Sequence, residues 1–434
     1  MMEYIPNILF LLALIAGIGY FTRNIRKVIR NVKLGREVDA SDHKKQRWSN
    51  VIRIAMGQSK MVVRPIAGLL HIIVYVGFII INIEVLEIII DGLAGTHRIF
   101  SFMGGFYGFL IGSFEILAVL VFVSVIVFWL RRNALKLKRF WKPEMKGWPK
   151  KDADFILYFE MVLMGLFLVM NATDIHFQEM NQGNVISKYI AAWFSNTPES
   201  TLHIIERTAW WLHILGILVF LNYLYFSKHL HILLAFPNVY YGRVTPKGKF
   251  RNLESVTKEV QLMMDPSADP YAAPAEGEAP PEKFGASDVM DLSTTQLLNA
   301  YTCTECGRCT SECPANQTGK KLSPRKIMMD TRDRLQEVGA IIDKQGSFQP
   351  DGKQLLDDYI SREELWACTT CNACVEACPV SIDPLSIIMD MRQYLVMEQS
   401  AAPNELNITM TNIENNAAPW PFNQMDRANW INEL

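Results

Sequence analysis

The chain has 434 residues, half of them hydrophobic and a fifth charged, with a formal net charge of -1. That length calls for more than one domain, while a charge so near neutrality identifies no partner, and no nucleic-acid partner is expected. The averages hide two unlike halves, which excludes a single soluble globule: long apolar runs fill the chain up to about Phe236, and a polar, soluble-type composition follows.

Five segments are apolar and long enough to span a bilayer core, which takes roughly 20 helical residues. They run from Tyr4 to Phe21, Pro65 to Ile83, Phe106 to Leu130, Phe155 to Ala172 and Thr208 to Phe226. The first lacks a basic leader and a small-residue cleavage site, so it is expected to be an anchor helix. Twelve Lys or Arg fall in Arg23 to Arg64 and nine in Arg131 to Lys151, against one (Arg98) and two (Lys188, Arg207) in the other connections. This bias predicts an outside N-terminus and a cytoplasmic remainder.

Three histidines have informative positions. His71 lies in span two about seven residues, or roughly 10 Å, from its cytoplasmic end. His231 lies just past the cytoplasmic end of span five, at a similar depth, as two axial ligands of one haem b require. His213 precedes His231 by 18 residues, which on an unbroken helix puts it near the outer surface on roughly the same face. His229 is the rival to His231, and an interfacial histidine bonded to backbone or water is the bland alternative for each. Ionisable groups within spans mark function by default. Among the acids, Glu115, mid-span, is the expected catalytic group of a quinone site. Glu84 and Glu87 read as solvated helix ends, and Glu160 lies on the cytoplasmic side of span four.

After the membrane domain, residues 1–236, residues 237–290 read as an amphipathic segment, Tyr240 to Met264, followed by a disordered, Pro- and Ala-rich acidic linker. Such a tether would let the next domain move relative to the membrane. All eight cysteines lie in residues 291–399, as CTECGRCTSECP (Cys303, Cys306, Cys309, Cys313) and CTTCNACVEACP (Cys368, Cys371, Cys374, Cys378). Each copy is C-x2-C-x2-C-x3-C-P, whose first three thiolates cap one [4Fe–4S] cluster while the fourth crosses to its neighbour. One cluster would then use Cys303, Cys306, Cys309 and Cys378, and the other Cys368, Cys371, Cys374 and Cys313. Structural zinc also uses C-x2-C pairs, but not this doubled pattern with every cysteine consumed. Helices are expected after each motif, one from Ser323-Pro324 to a stop at Gly339 and one from near Pro384. The fold class is therefore all-α: a five-helix membrane bundle followed by an α-helical two-cluster ferredoxin. The tail, residues 400–434, has Trp420, Phe422 and Trp430 without a core of its own. It is expected to dock on a partner or to pack back on the ferredoxin.

The stretch WWLHILGILVFLNYLYFSKHLHI, Trp210 to Ile232, resembles the last span of the di-haem cytochrome b subunit of respiratory nitrate reductase, and LLHIIVYVGF, Leu69 to Phe78, resembles its second. The resemblance implies a cytoplasm-side haem b on His71 and His231. The sequence departs from that family at Ile81, where a second histidine is expected, so His213 needs another partner, His176 or His97, or the outer haem is missing. Fusion of such a cytochrome to a helical ferredoxin resembles the membrane proteins related to heterodisulfide reductase, including the electron-transferring-flavoprotein:menaquinone oxidoreductase of bacteria. What this implies is an inner-membrane, quinone-linked oxidoreductase subunit. Electrons would pass between a cytoplasmic electron-transferring flavoprotein, or a separate CCG-domain iron–sulfur subunit, and menaquinone. Two other functions fit the same residues: quinol oxidation feeding a disulfide- or sulfur-reducing partner, and a haem-free membrane anchor carrying a ferredoxin.

Overall fold

The computed structural model describes residues 4–250, 252, 254–267 and 283–433. Among these residues no strand forms, only two isolated bridges. Five helices are long and apolar enough to cross a membrane: α1 (Ile5–Val32), α2 (Pro65–Ala94), α3 (Gly105–Asn133), α4 (Trp148–Thr173) and α5 (Glu199–Tyr223). Each neighbours the next, and α1 closes the ring against α5. Phe10, Ile81, Ile111, Phe114, Phe167 and Ile214 fill the centre. Ile8, Leu12, Phe106, Phe109, Leu212 and Val219 face outward, the arrangement expected when lipid rather than water is the surrounding medium.

The helices outrun the predicted spans, and in α1 the overhang serves the second domain. Helix α1 continues eleven residues past Phe21, and its overhang buries Asn24, Val28 and Asn31. The asparagines, with Arg23 and Arg26, are what ended the apolar run in the sequence. Asn31 Nδ2 donates to Tyr301 Oη at 2.8 Å, Arg30 Nη2 donates to Gly339 O at 2.9 Å, and Arg30 also pairs with Asp343.

The cysteine domain is helical: α7 (Thr294–Thr302), α8 (Arg308–Glu312), α9 (Pro324–Gln345), α10 (Ala373–Ala377) and α11 (Pro384–Met397), with α6 (His231–Tyr241) leading out of the membrane bundle. Serine caps set the starts, Ser293 with Gln296 before α7 and Ser323 on the Lys326 N–H before α9. Helix α9 does not stop at Gly339. It ends at Gly346, in the left-handed region at φ +82°, and Gly339 is instead a notch: a Cβ there would stand 2.4 Å from Asn31 Nδ2.

One apolar cluster joins Val28, Ile156, Phe220, Leu224 and Leu230 of the membrane half to Leu297, Ile327, Leu335, Ile388 and Met391 of the cysteine domain. The expected freely moving tether is therefore corrected: the domain shares a core with the bundle, and shared apolar burial holds the two together. The predicted disordered linker falls mostly on residues 268–282, outside the described residues. In the tail, Asn404–Asn416 is helical, and Trp420, Phe422 and Trp430 stay exposed rather than packing back.

Candidate functional site

The two cysteine loops repeat one backbone path. Glu305 and Thr370 take φ of +54° and +55°, and Gly307 and Asn372 take +71° and +60°, so the residues flanking the second cysteine of each copy turn left-handed and curl the first three sulfurs around one point. At Gly307 a Cβ would lie 2.6 Å from Arg325 Nη1, so a larger residue there would have to displace that guanidinium. Helices α8 and α10 then pack against each other and carry the fourth cysteines across. Cys303, Cys306, Cys309 and Cys378 line one pocket and Cys313, Cys368 and Cys371 a second, while Cys374 borders both, so each predicted set of four shares a pocket.

Burial pushes the Cys303 thiol up to about 12 and the Cys378 thiol to about 11, and holds Cys309 well above its usual value. Thiols this reluctant to ionise in an apolar pocket become thiolates when a metal centre replaces their protons. Backbone N–H groups also point at sulfur, Ile382 to Cys378 at 3.3 Å and Thr370 to Cys368 at 3.4 Å. The residues fit cubane clusters in donor type, in number and in the hydrogen bonds that reach the sulfurs.

His71 and His231 come together, with ring centroids 6.5 Å apart. Two imidazoles on one metal ion would stand about 6 Å apart, given about 2 Å from each nitrogen to the metal and about 1 Å more to each ring centre. The His231 Nδ1 contacts Lys228 O at 3.2 Å, which leaves Nε2 free to ligate, whereas the buried Nδ1 of His71 has no partner. His229 is close, 5.3 Å from the His231 ring, but it also lies 5.3 Å from Phe220.

His213 is placed differently from the expectation. The α-helix ends at Tyr223, two 3-10 turns follow, and extended Ser227 separates them, so the 18-residue spacing no longer implies a shared face. His213 is buried, its Nδ1 lies 3.0 Å from Leu163 O, and its ring faces Phe167 at 6.2 Å. No second histidine ring meets it among the described residues. His97 and His176 meet each other instead, at 5.8 Å, and Ile81 is part of the bundle core.

The acids also divide differently. Glu115 is fully buried and fully used: it accepts from Asn171 Nδ2 at 3.2 Å and from the Ile186 and Ser187 N–H groups at 2.7 and 3.0 Å. Its carboxylate thereby anchors the far-side connection. Glu84 and Glu87, expected to be solvated, are 4% and 3% exposed. They line a cavity of about 400 Å³ at the end of the bundle away from the cysteines, walled by Phe10, Trp210 and Trp211. Glu87 accepts from Phe100 N and Tyr107 Oη, while Glu84 Oε2 has no partner. At the rim, burial alone would raise the Asp174 carboxyl, but His97 and Arg98 hold it well below its usual range.

Several functional side chains belong to no motif. Lys228, the first residue of the second 3-10 turn, donates to Pro149 O at 2.6 Å and pairs with Glu305 inside the first cysteine loop, and Arg332 closes the same carboxylate at 2.8 Å. The backbone of the His231 turn is thereby tied to the cysteine loop. Their only signal in the sequence is position, a lysine two residues after Phe226 and a glutamate inside a C-x2-C.

A doubled cubane-type cysteine site docked on a five-helix apolar bundle defines a multi-pass membrane iron–sulfur protein with two [4Fe–4S] sites. Comparison with known proteins agrees. Residues 302–382 match the 4Fe-4S dicluster domain. The chain is 29% identical to the probable iron-sulfur-binding oxidoreductase FadF of Bacillus subtilis, over 98% of this chain and 61% of that one. It is 27% identical to the EtfAB:quinone oxidoreductase of Syntrophomonas wolfei, over 92% and 55%. One of the polypeptides of the ferredoxin/F(420)H(2)-dependent CoB-CoM heterodisulfide reductase of Methanosarcina acetivorans is 30% identical, over 27% of this chain and 60% of that polypeptide. The chain thus spans about three-fifths or less of the length of the first two relatives. No solved structure matches.

Proposed function

We propose that this chain is the membrane electron-transfer subunit of a quinone-linked oxidoreductase, passing electrons from a cytoplasmic flavoprotein, directly or through a CCG-domain subunit, to menaquinone. The observation that carries the reading is the meeting of His71 and His231 at 6.5 Å beside a docked pair of cysteine pockets. The similarity to an EtfAB:quinone oxidoreductase supports the choice of donor and acceptor. In this reading Cys303, Cys306, Cys309 and Cys378 hold one cluster, Cys313, Cys368, Cys371 and Cys374 the other, and His71 and His231 hold one haem b. When bound, these groups supply one-electron redox capacity, and the protein's part is to place and tune them.

The chain's own residues divide the remaining work. Lys228 and Glu305 fix the His231 turn to the cysteine loop. The far-side cavity has the size and the mixture of aromatic wall and convergent polar groups expected of a small-molecule site, and it is the proposed place of the quinone ring. Quinone reduction consumes two electrons and two protons, and Glu84, with one carboxylate oxygen unpartnered, holds a proton at Oε2 for a quinone oxygen. The shared core with the bundle keeps the donor domain seated during transfer, so no large domain motion is required.

The test is menaquinone-analogue reduction by the protein in vesicles with a reduced electron-transferring flavoprotein as donor. His71→Ala and His231→Ala are expected to abolish it while the clusters remain reducible. Unchanged turnover in both variants would leave the helices as an anchor and overturn the proposal.

A further inference from the structure

The two cysteine pockets have the same sulfur content but stand in unequal fields. Arg308 lines the pocket of Cys303, Cys306, Cys309 and Cys378, Arg139 packs against Gly307 in its first loop, and Lys60 reaches the helix that carries Cys374. Arg308 is 5% exposed, and its guanidinium donates to Lys60 O at 3.1 Å and Met61 O at 3.2 Å. Arg139 lies over the Phe140 ring at 4.8 Å with its Nε buried and unpartnered, and Lys60 donates to Val375 O at 3.3 Å. None of the three has a carboxylate within ion-pair distance among the described residues. The negative groups acting on them most strongly are Cys306 and Cys378. Arg308 is buried, and Lys60 and Arg139 are partly so; cations withdrawn from water are ordinarily paired, and a cubane with four thiolates, itself an anion, is the counter-charge this arrangement is missing.

The other charges near this pocket cancel or add to the excess. Arg325 pairs with Glu144 at 2.7 Å, Arg64 pairs with Glu312 at 2.7 Å, and Glu305 is held by two cations, Lys228 and Arg332. The pocket of Cys313, Cys368, Cys371 and Cys374 is lined by no charged side chain. Arg392, which donates to Leu365 O at 3.0 Å and to Cys368 O, lies beside it, and Asp383 acts on Cys374 with the opposite sign. Backbone N–H groups reach sulfur in both sets, from Glu305 to Cys303 and from Ile382 and Val380 to Cys378 in one, and from Thr370 to Cys368 and Val375 to Cys374 in the other, so they do not favour the second. Exposure of Cys371 favours reduction of the outer cluster. It is outweighed, because unpaired charges held out of water act over several ångströms with little screening, and each reduction adds a negative charge to the cluster.

Resting on the proposed assignment of cysteines to clusters, we infer that Lys60, Arg139 and Arg308 raise the potential of the inner cluster, that of Cys303, Cys306, Cys309 and Cys378, above that of the outer one, that of Cys313, Cys368, Cys371 and Cys374. One electron then passes from the reduced outer cluster to the oxidised inner cluster, with no proton moved. Electrons enter near exposed Cys371 and run inward, and the order of the potentials is written into the chain by residues that ligate nothing.

The experiment is a redox titration of the purified full chain followed by electron paramagnetic resonance, with iron content measured on every variant. Two cluster potentials are expected. Arg308→Gln and Arg139→Gln should each lower the higher one only, Arg392→Gln should lower the lower one, and Arg308→Lys should restore most of the loss. If Arg308→Gln fails to assemble, half-buried Lys60→Gln gives the same reading with a smaller shift. A lower potential that moves in Arg308→Gln, or two potentials that move together or not at all, would overturn the inference. The readout needs neither haem nor quinone, so it can fail while the proposed function stands, and the reverse.

Discussion

The two ends of helix α2 do opposite work. At its cysteine-facing end His71 meets His231, and at its far end Glu84 and Glu87 sit in a cavity that they share with Phe10, Trp210, Arg98 and Arg207. The ends are 13 residues apart from His71 to Glu84, about 20 Å along the helix. One helix thus separates the residues suited to holding electron carriers from those suited to handling protons. An ionisable residue inside a span is therefore informative only together with its partners: Glu115 is the most buried of the acids and is fully hydrogen-bonded, whereas Glu84 is the one left with an open oxygen.

The largest expected effect comes from the electron end. His71→Ala or His231→Ala should remove the haem Soret band altogether, while His229→Ala retains it, and absorbance spectra of the three variants check this. Cys378→Ser should lose roughly half of the bound iron, as one cluster of two is lost, measured by iron content against protein. At the proton end, Glu84→Gln should lower quinone turnover roughly 100-fold, the scale of a lost general acid, yet leave reduction of the haem by the flavoprotein unchanged. An equal loss of both would erase the division of labour. Glu115→Ala should instead destabilise the protein by about 3 kcal/mol, because it strands three buried donors, with a lowered melting temperature and near-normal turnover in the folded fraction. The smallest effect belongs to Lys228→Met, which leaves Arg332 on Glu305 and should cost about 1 to 2 kcal/mol. It should broaden the haem spectrum as the His231 turn loosens.

Much of this architecture is legible in the sequence. Five apolar runs predict five membrane helices because a bilayer dictates their length, and the cysteine spacing predicts the crossed pockets because a cubane dictates its ligands. The depth match of His71 and His231 is equally readable. What is not readable depends on tertiary placement. Asn24 and Asn31 look like the end of a span and are instead the socket for a second domain. Gly339 looks like a helix stop and is a notch for Asn31. The 18-residue interval from His213 to His231 looks helical throughout and is broken at Ser227. Lys60 and Arg139 are counted among the basic residues of the connections, and nothing in that count shows them beside the cysteine loops without a carboxylate partner.

The measurement that tests the central claim most directly is the haem b content of the detergent-purified full chain, by pyridine haemochrome against protein mass, alongside iron and sulfide. One haem b per chain together with two [4Fe–4S] clusters is the predicted result, since His71 and His231 form a pair and His213 has none. A preparation that keeps both clusters and contains no haem would contradict it.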